Sequence, residues 1–179
     1  MKAVYDKSGE NKLFYLWSFD SMSDDCEGVS GWGCVHPDAV QWYVETSRKF
    51  IEEDGKVLQG YAFMHIPLPE YMDLFNTNKV FGYNIEGISC QAVNTGLYAA
   101  FKEMNNIKGV YCGHDHDNDF WGDYNGIALH YGRKTGFGGY GPLFFQKRGA
   151  RILEFSQSDN DQISMKSWIR EENGNTVET

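Results

Sequence analysis

Apolar residues along this chain come in short runs with two different periods. Residues 13–19, LFYLWSF, form an unbroken aromatic and aliphatic run that reads as a buried strand. The polar stretch DSMSDDCEGVSGWG follows as a loop. From Pro37 the period changes to that of a helix, stopped by Gly55, with Val40, Val44, Ser47 and Ile51 on one face and Tyr43 and Phe50 flanking it. Residues 57–65, VLQGYAFMH, predict a second strand that Pro67 and Pro69 prevent from continuing. A loose segment, NTNKVFGYNIEG, leads to a helix across QAVNTGLYAAFKEM, with Val93, Leu97, Phe101 and Met104 at helical spacing. IKGVYCG, GIALHYG and ARILEFS read as strands, the last two separated by the glycine-rich KTGFGGYGP. QISMKSWIR reads as a last strand and EENGNTVET as a frayed tail.

The order β–α–β–α–β followed by several strands predicts an α/β layered domain with helices outside a sheet. A length of 179 residues is one domain's worth, with 1–156 as the body and 157–179 as the last strand and polar tail. The hydrophobic share of 41% argues against disorder. No apolar run approaches membrane-spanning length, and MKAVYDKSGENK has no apolar signal core. A formal charge of −9 opposes non-specific binding to nucleic acid or acidic membranes, and is compatible with a divalent-metal protein.

Chemistry concentrates at residues 109–120, GVYCGHDHDNDF. Its first half is a strand, so His114 and His116 lie just past a C-terminal strand edge, where α/β folds build ligand sites. A second strand ends at His65. If these strands are parallel neighbours, three imidazoles converge, a donor set suited to zinc, iron, manganese or nickel, with nearby carboxylates to orient the rings. Asp115, Asp117 and Asp119 are too close in sequence to be expected all to turn inward. Cupin-type and metal-dependent deubiquitinase-type sites are set aside, because Phe120 and Trp121 stand where a glutamate is wanted and Asp117 where a proline is wanted. The formal G-x-G-x-x-G of Gly136, Gly138 and Gly141 runs into Pro142 rather than a helix, and reads as a turn. Arg133 and Lys134 could supply a cation to a phosphate. His36 and His130 read as structural. Cys26, Cys34, Cys90 and Cys112 show no metal-ribbon spacing and read as four reduced thiols, with a Cys26–Cys34 loop disulfide as the alternative in a secreted protein.

Taken together, GYAFMHIPLPEY, VNTGLYAAFKEM, GVYCGHDHDNDF, and GIALHYGRKTGFGGYG followed by RGARILEF resemble the calcineurin-like metallophosphoesterases, in the purple-acid-phosphatase-like branch. The resemblance implies a β-sandwich flanked by helices, of which residues 13–155 match the C-terminal half. It implies a phosphatase using two divalent or trivalent ions (zinc, iron or manganese) held about 3.5 Å apart, which grip phosphate oxygens and make a water nucleophilic. His65 and His114 would serve one ion and His116 the other, with Asn118 and Asp119 fixing ring orientation and Arg133 binding substrate. The implied substrate is a phosphorylated small molecule or a phosphoprotein. The family's Asp-x-His, its Gly-Asp with the bridging aspartate and its Gly-Asn-His lie upstream of the matched segment and have no counterpart before residue 13, so half of the site is expected to be missing. The alternative from another class is a truncated, non-catalytic metal-binding or interaction module.

Overall fold

The computed structural model describes residues 1–77, 79–143, 145–158 and 162–178. Its backbone is a six-stranded mixed sheet. The strands are β1 (Lys2–Tyr5), β2 (Lys12–Ser18), β5 (Gly60–Phe63), β6 (Ile107–Cys112), β7 (Trp121–Tyr124) and β8 (Ile127–Tyr131). Their spatial order is β1-β2-β5-β6-β8-β7, with the central four parallel and each edge strand antiparallel to its neighbour. Three helices, α1 (Pro37–Asp54), α2 (Glu70–Asn76) and α3 (Leu97–Met104), fill the crossovers. A second sheet of β9 (Gly149–Gln157), β10 (Ile163–Glu171) and β11 (Thr176–Glu178) is antiparallel throughout, and a small hairpin pairs β3 (Asp24–Cys26) with β4 (Val29–Trp32).

Strand periodicity decides which layer each residue joins, because alternate side chains point to opposite faces. Tyr15, Trp17, Ala62, Val110 and Cys112 face the main core, where Tyr43 of α1 and Phe101 of α3 are also buried. Phe14, Tyr61 and Tyr111, offset by one residue, face the other way onto Leu153, Phe155, Ile163 and Met165 of the second sheet. The result is the expected β-sandwich flanked by helices. β9 reaches residue 157, and β10 and β11 extend the same sheet beside it.

Several elements differ from expectation for local reasons. The tail forms β11, paired with β10 from Trp168↔Glu178 to Arg170↔Thr176, rather than fraying. The helix expected across 91–104 begins only at Leu97, because Asn94 Oδ1 accepts the Gly96 N–H and Gly96 is left-handed at φ 88°. Pro69, expected as a stop, also starts α2, whose Tyr71 and Leu74 are buried. Two hairpins include strands, β3, β4 and β7, in stretches whose composition is that of loops. Each turns on two residues of positive φ, Glu27-Gly28 and Asn125-Gly126, the pairing that matches strand twist. The first hairpin also brings Cys26 and Cys34 to a Cα separation of 5.5 Å and joins them as a disulfide, correcting the reading of four reduced thiols. Cys90 and Cys112 stay free. Among the described residues no helix is long and apolar enough to cross a membrane.

His130 on β8 is structural. Its ring is stacked between Tyr111 and Trp121, with centroids 4.8 and 5.1 Å away. Burial, with Arg151 nearby, drives its pKa down to about 3, so the native state holds it neutral. The unfolded chain protonates His130 below about pH 6.5, while the folded chain does not until about pH 3. Stability is therefore expected to fall as pH drops through that window, by up to about 1.4 kcal/mol per pH unit from this group. Urea titrations of His130→Phe between pH 4 and 6 should show a slope shallower than wild type by that amount. An unchanged slope would remove His130 as a source of acid sensitivity.

Candidate metal centre

The site lies at the C-terminal edges of the parallel strands. β5 ends at Phe63 and β6 at Cys112, and they are hydrogen-bonded neighbours, so the loops after them emerge side by side. The Gly113 N–H donates to the His65 carbonyl at 3.0 Å, holding the two loops together. His114 then adopts φ 75°, and the Asp115 N–H closes back on the Gly113 carbonyl at 3.0 Å. This is a γ-turn of the rare positive-φ kind, a strained conformation for a side-chain-bearing residue. The turn aims His114 at His65: Nδ1 of His114 and Nε2 of His65 are 3.2 Å apart, with the rings nearly perpendicular at 89°. Partial burial lowers the His114 pKa and favours the neutral ring.

The fold therefore brings His65 and His114 together. His116 lines the same 180 Å³ cavity, along with Gly132, Arg133, Lys134, Thr135 and Gly136. Its Nδ1 lies 2.8 Å from the Tyr140 carbonyl, and the Tyr140 ring stacks on it at 4.3 Å. A carbonyl only accepts, so Nδ1 is the donor, and in the neutral ring this leaves the lone pair on Nε2, the tautomer that a metal ligand needs. Two nitrogens bound to one tetrahedral zinc at about 2.0–2.1 Å lie about 3.3 Å apart, close to the separation of the His65 and His114 nitrogens. The imidazoles fit a metal in chemistry and spacing. Among the described residues, however, no group of three His, Cys, Asp or Glu side chains is arranged to hold an ion.

Two of the three acidic residues of the same loop, Asp115 and Asp119, have another use, while Asp117 Oδ1 is buried without a hydrogen-bond partner among the described residues. Asp115, Asp117 and Asp119 are all buried, contrary to the expectation that they could not turn inward together. They alternate with the histidines and Asn118, and the targets of this loop are mostly backbone donors of residues 82–91, a segment without ladder partners of its own. Asp115 Oδ2 accepts from the Ser89 N–H and the Tyr131 hydroxyl. Burial pushes the Tyr131 phenol well above its ordinary range, so it remains a donor. Asn118 Oδ1 accepts from the Ile85 N–H, and its amide reaches the Gly87 carbonyl. Asp119 accepts from the Tyr83 N–H on one oxygen and from the Arg133 guanidinium on the other.

Three expected roles change as a consequence. The hydrogen bonds of Asn118 and Asp119 go to backbone and to Arg133 rather than to an imidazole, so these side chains anchor a neighbouring segment. Arg133 borders the cavity, but its guanidinium is buried against Asp119, the Lys147 carbonyl and Glu171, so it is a structural clamp rather than an exposed phosphate donor. Lys134, its sequence neighbour, lines the cavity with an ammonium bonded to the Gly138 carbonyl.

Sequence reasoning misses several supports. Ser21 is buried, and its Oγ accepts the N–H of Ile66 beside His65. Gln91 bridges the Val35 N–H and the Ile66 carbonyl. Trp32 meets the His114 ring at 4.3 Å. Only Gln91 carries a signal, as a polar residue leading into an apolar stretch. The others depend on tertiary approach.

Comparison with known proteins agrees with the resemblance. The chain is 30% identical over 148 residues to an Arabidopsis thaliana protein named "Probable inactive purple acid phosphatase 29", covering 79% of this chain and 37% of that protein. It is 33% identical over 144 residues to "Probable inactive purple acid phosphatase 28" of the same plant, covering 79% and 36%. "Phosphatase DCR2" of Saccharomyces cerevisiae is 30% identical over 162 residues, covering 82% of this chain and 27% of that protein. Among solved structures, a dimetal phosphatase from Danio rerio superposes with a TM-score of 0.39 and 17% identity over 59% of this chain and 29% of its own. No family model matches the chain. The chain is similar to purple-acid-phosphatase-like proteins, in keeping with the resemblance to the calcineurin-like metallophosphoesterases, and it spans little more than a third of the length of the two Arabidopsis proteins.

Proposed function

We propose that this chain supplies the imidazole half of a dinuclear phosphoesterase centre, His65 and His114 toward one ion and His116 toward the other, acting on phosphate esters. The observation that carries this reading is the 3.2 Å approach of His65 Nε2 and His114 Nδ1 at the ends of adjacent parallel strands. The ions, zinc, iron or manganese by donor chemistry, would supply Lewis acidity and a nucleophile usable at neutral pH. The chain's own residues have narrower tasks. The strained turn at His114 presents one nitrogen in a fixed direction. The Tyr140 carbonyl keeps the His116 proton on Nδ1, and the Lys134 ammonium offers a charge to an anionic ester at the cavity mouth.

A second reading, a metal-binding module without turnover, is favoured by the fate of the carboxylates. A dinuclear site needs an anionic group between its ions to offset their repulsion, and two of the three loop carboxylates, Asp115 and Asp119, are engaged elsewhere. The names of the two Arabidopsis relatives point the same way. Purified 179-residue protein loaded with zinc or manganese is therefore expected to hydrolyse an aryl phosphate no faster than the metal alone. Turnover well above that control, lost in His114→Ala, would show that the chain completes its own site and would exclude the non-catalytic reading.

A further inference from the structure

We propose that Trp32 and the Cys26–Cys34 bond form a clamp that positions His114 for metal binding. The inference rests on the assignment of His65 and His114 as ligands.

The hairpin of β3 and β4 has an unusual situation. All four residues of β4 are exposed, so the pair lacks the buried face that normally fixes a hairpin. Other attachments hold it in place. Cys26 and Cys34 are buried and disulfide-linked, and Cys34 leads into Val35, whose N–H is held by Gln91. The Trp32 carbonyl accepts the Ala92 N–H at 3.1 Å, and Gly31 lies so close to Ala92 that a Cβ there would sit 3.0 Å from the alanine Cβ. His36 at the start of α1 pairs with Glu27 in the turn at 2.6 Å. These attachments deliver one large side chain: Trp32, 44% exposed, meets the His114 ring at 4.3 Å and 79°.

His114 needs such a contact. Its γ-turn is strained, and strained backbone persists only where its surroundings over-determine it. Two rings box the imidazole in, His65 at 89° and Trp32 at 79°. Removing one wall leaves the ring free to rotate and the turn free to relax, and groups that orient a metal-ligating histidine commonly contribute about 10- to 100-fold in affinity. Trp32 acts through His114 and is a positioning residue, and the disulfide acts through Trp32.

The test uses Co(II), whose absorption reports both affinity and ligand geometry. Trp32→Ala is expected to weaken Co(II) binding about 10-fold and to change the visible spectrum of the bound ion, while Trp32→Phe restores most of the affinity. The double variant Cys26→Ser/Cys34→Ser is expected to weaken binding in the same direction. Val29→Ala, at another exposed position of the same hairpin, should bind as wild type does. Because Trp32 is half exposed, its truncation opens no core cavity, and the Trp32 variants test the clamp even if the cysteine variant fails to fold. Wild-type affinity and spectrum in Trp32→Ala would overturn the clamp while leaving the metal assignment standing. No saturable Co(II) binding by the wild-type chain would instead overturn the metal assignment beneath it.

Discussion

Replacing Asp119 by alanine is expected to cost about 3–5 kcal/mol of stability, a loss of about 10 °C or more in Tm for a chain of this size. The reason is what the substitution leaves behind. Asp119 and Arg133 are nearly inaccessible, with side-chain exposures of 2% and 3%, and the carboxylate also accepts the Tyr83 N–H at 3.0 Å. Without it the guanidinium keeps the Lys147 carbonyl and a longer contact to Glu171 at 3.4 Å. A buried cation with half its partners is far costlier than an absent pair. Asp119→Asn should lie between the two, since its amide oxygen can still accept from Tyr83 while the charge is lost. Chemical denaturation of the three proteins checks this. A loss below about 1 kcal/mol in Asp119→Ala would mean that water or Glu171 takes over the cation. Arg133→Ala should likewise appear as lost stability before it appears as lost phosphate affinity.

The second large effect concerns metal affinity. His65→Ala and His114→Ala are each expected to lower zinc affinity at least about 100-fold, because each removes one of the two nitrogens that lie 3.2 Å apart. His116→Ala should leave that ion's affinity nearly unchanged, since His116 is held at a separate position beside Tyr140. Equal losses in all three would mean a single three-imidazole site. Competition titration against a chromophoric zinc chelator distinguishes these outcomes.

How much of this is legible in the sequence depends on the range of the interaction concerned. The strand identities of 13–19, 107–112 and 127–131 follow from local apolar content, and the placement of His65 and His114 at strand ends follows from them. The γ-turn at His114 is foreshadowed only by Gly113 before it. The burial of Asp115, Asp117 and Asp119 runs against local expectation because, for Asp115 and Asp119, its reason lies 26 to 36 residues away, in the N–H groups of Ser89 and Tyr83. A dense string of carboxylates beside histidines looks like a ligand set until the backbone it serves is in view. Arg133 misleads in the same way: a cation in a glycine-rich stretch suggests a phosphate, and only the fold reveals Asp119, 14 residues upstream, as its partner. The disulfide stays open at the level of sequence because the turn that brings its cysteines together, Glu27-Gly28, sits in a segment whose composition reads as loop.

The most direct test of the central assignment is zinc K-edge X-ray absorption on the chain loaded with one equivalent of zinc. Two imidazole ligands, with nitrogens at about 2.0–2.1 Å and the outer-shell scattering typical of histidine rings, are the predicted result, falling to one in His114→Ala. A first shell made only of oxygen, or one containing sulfur from Cys90 or Cys112, would contradict the account.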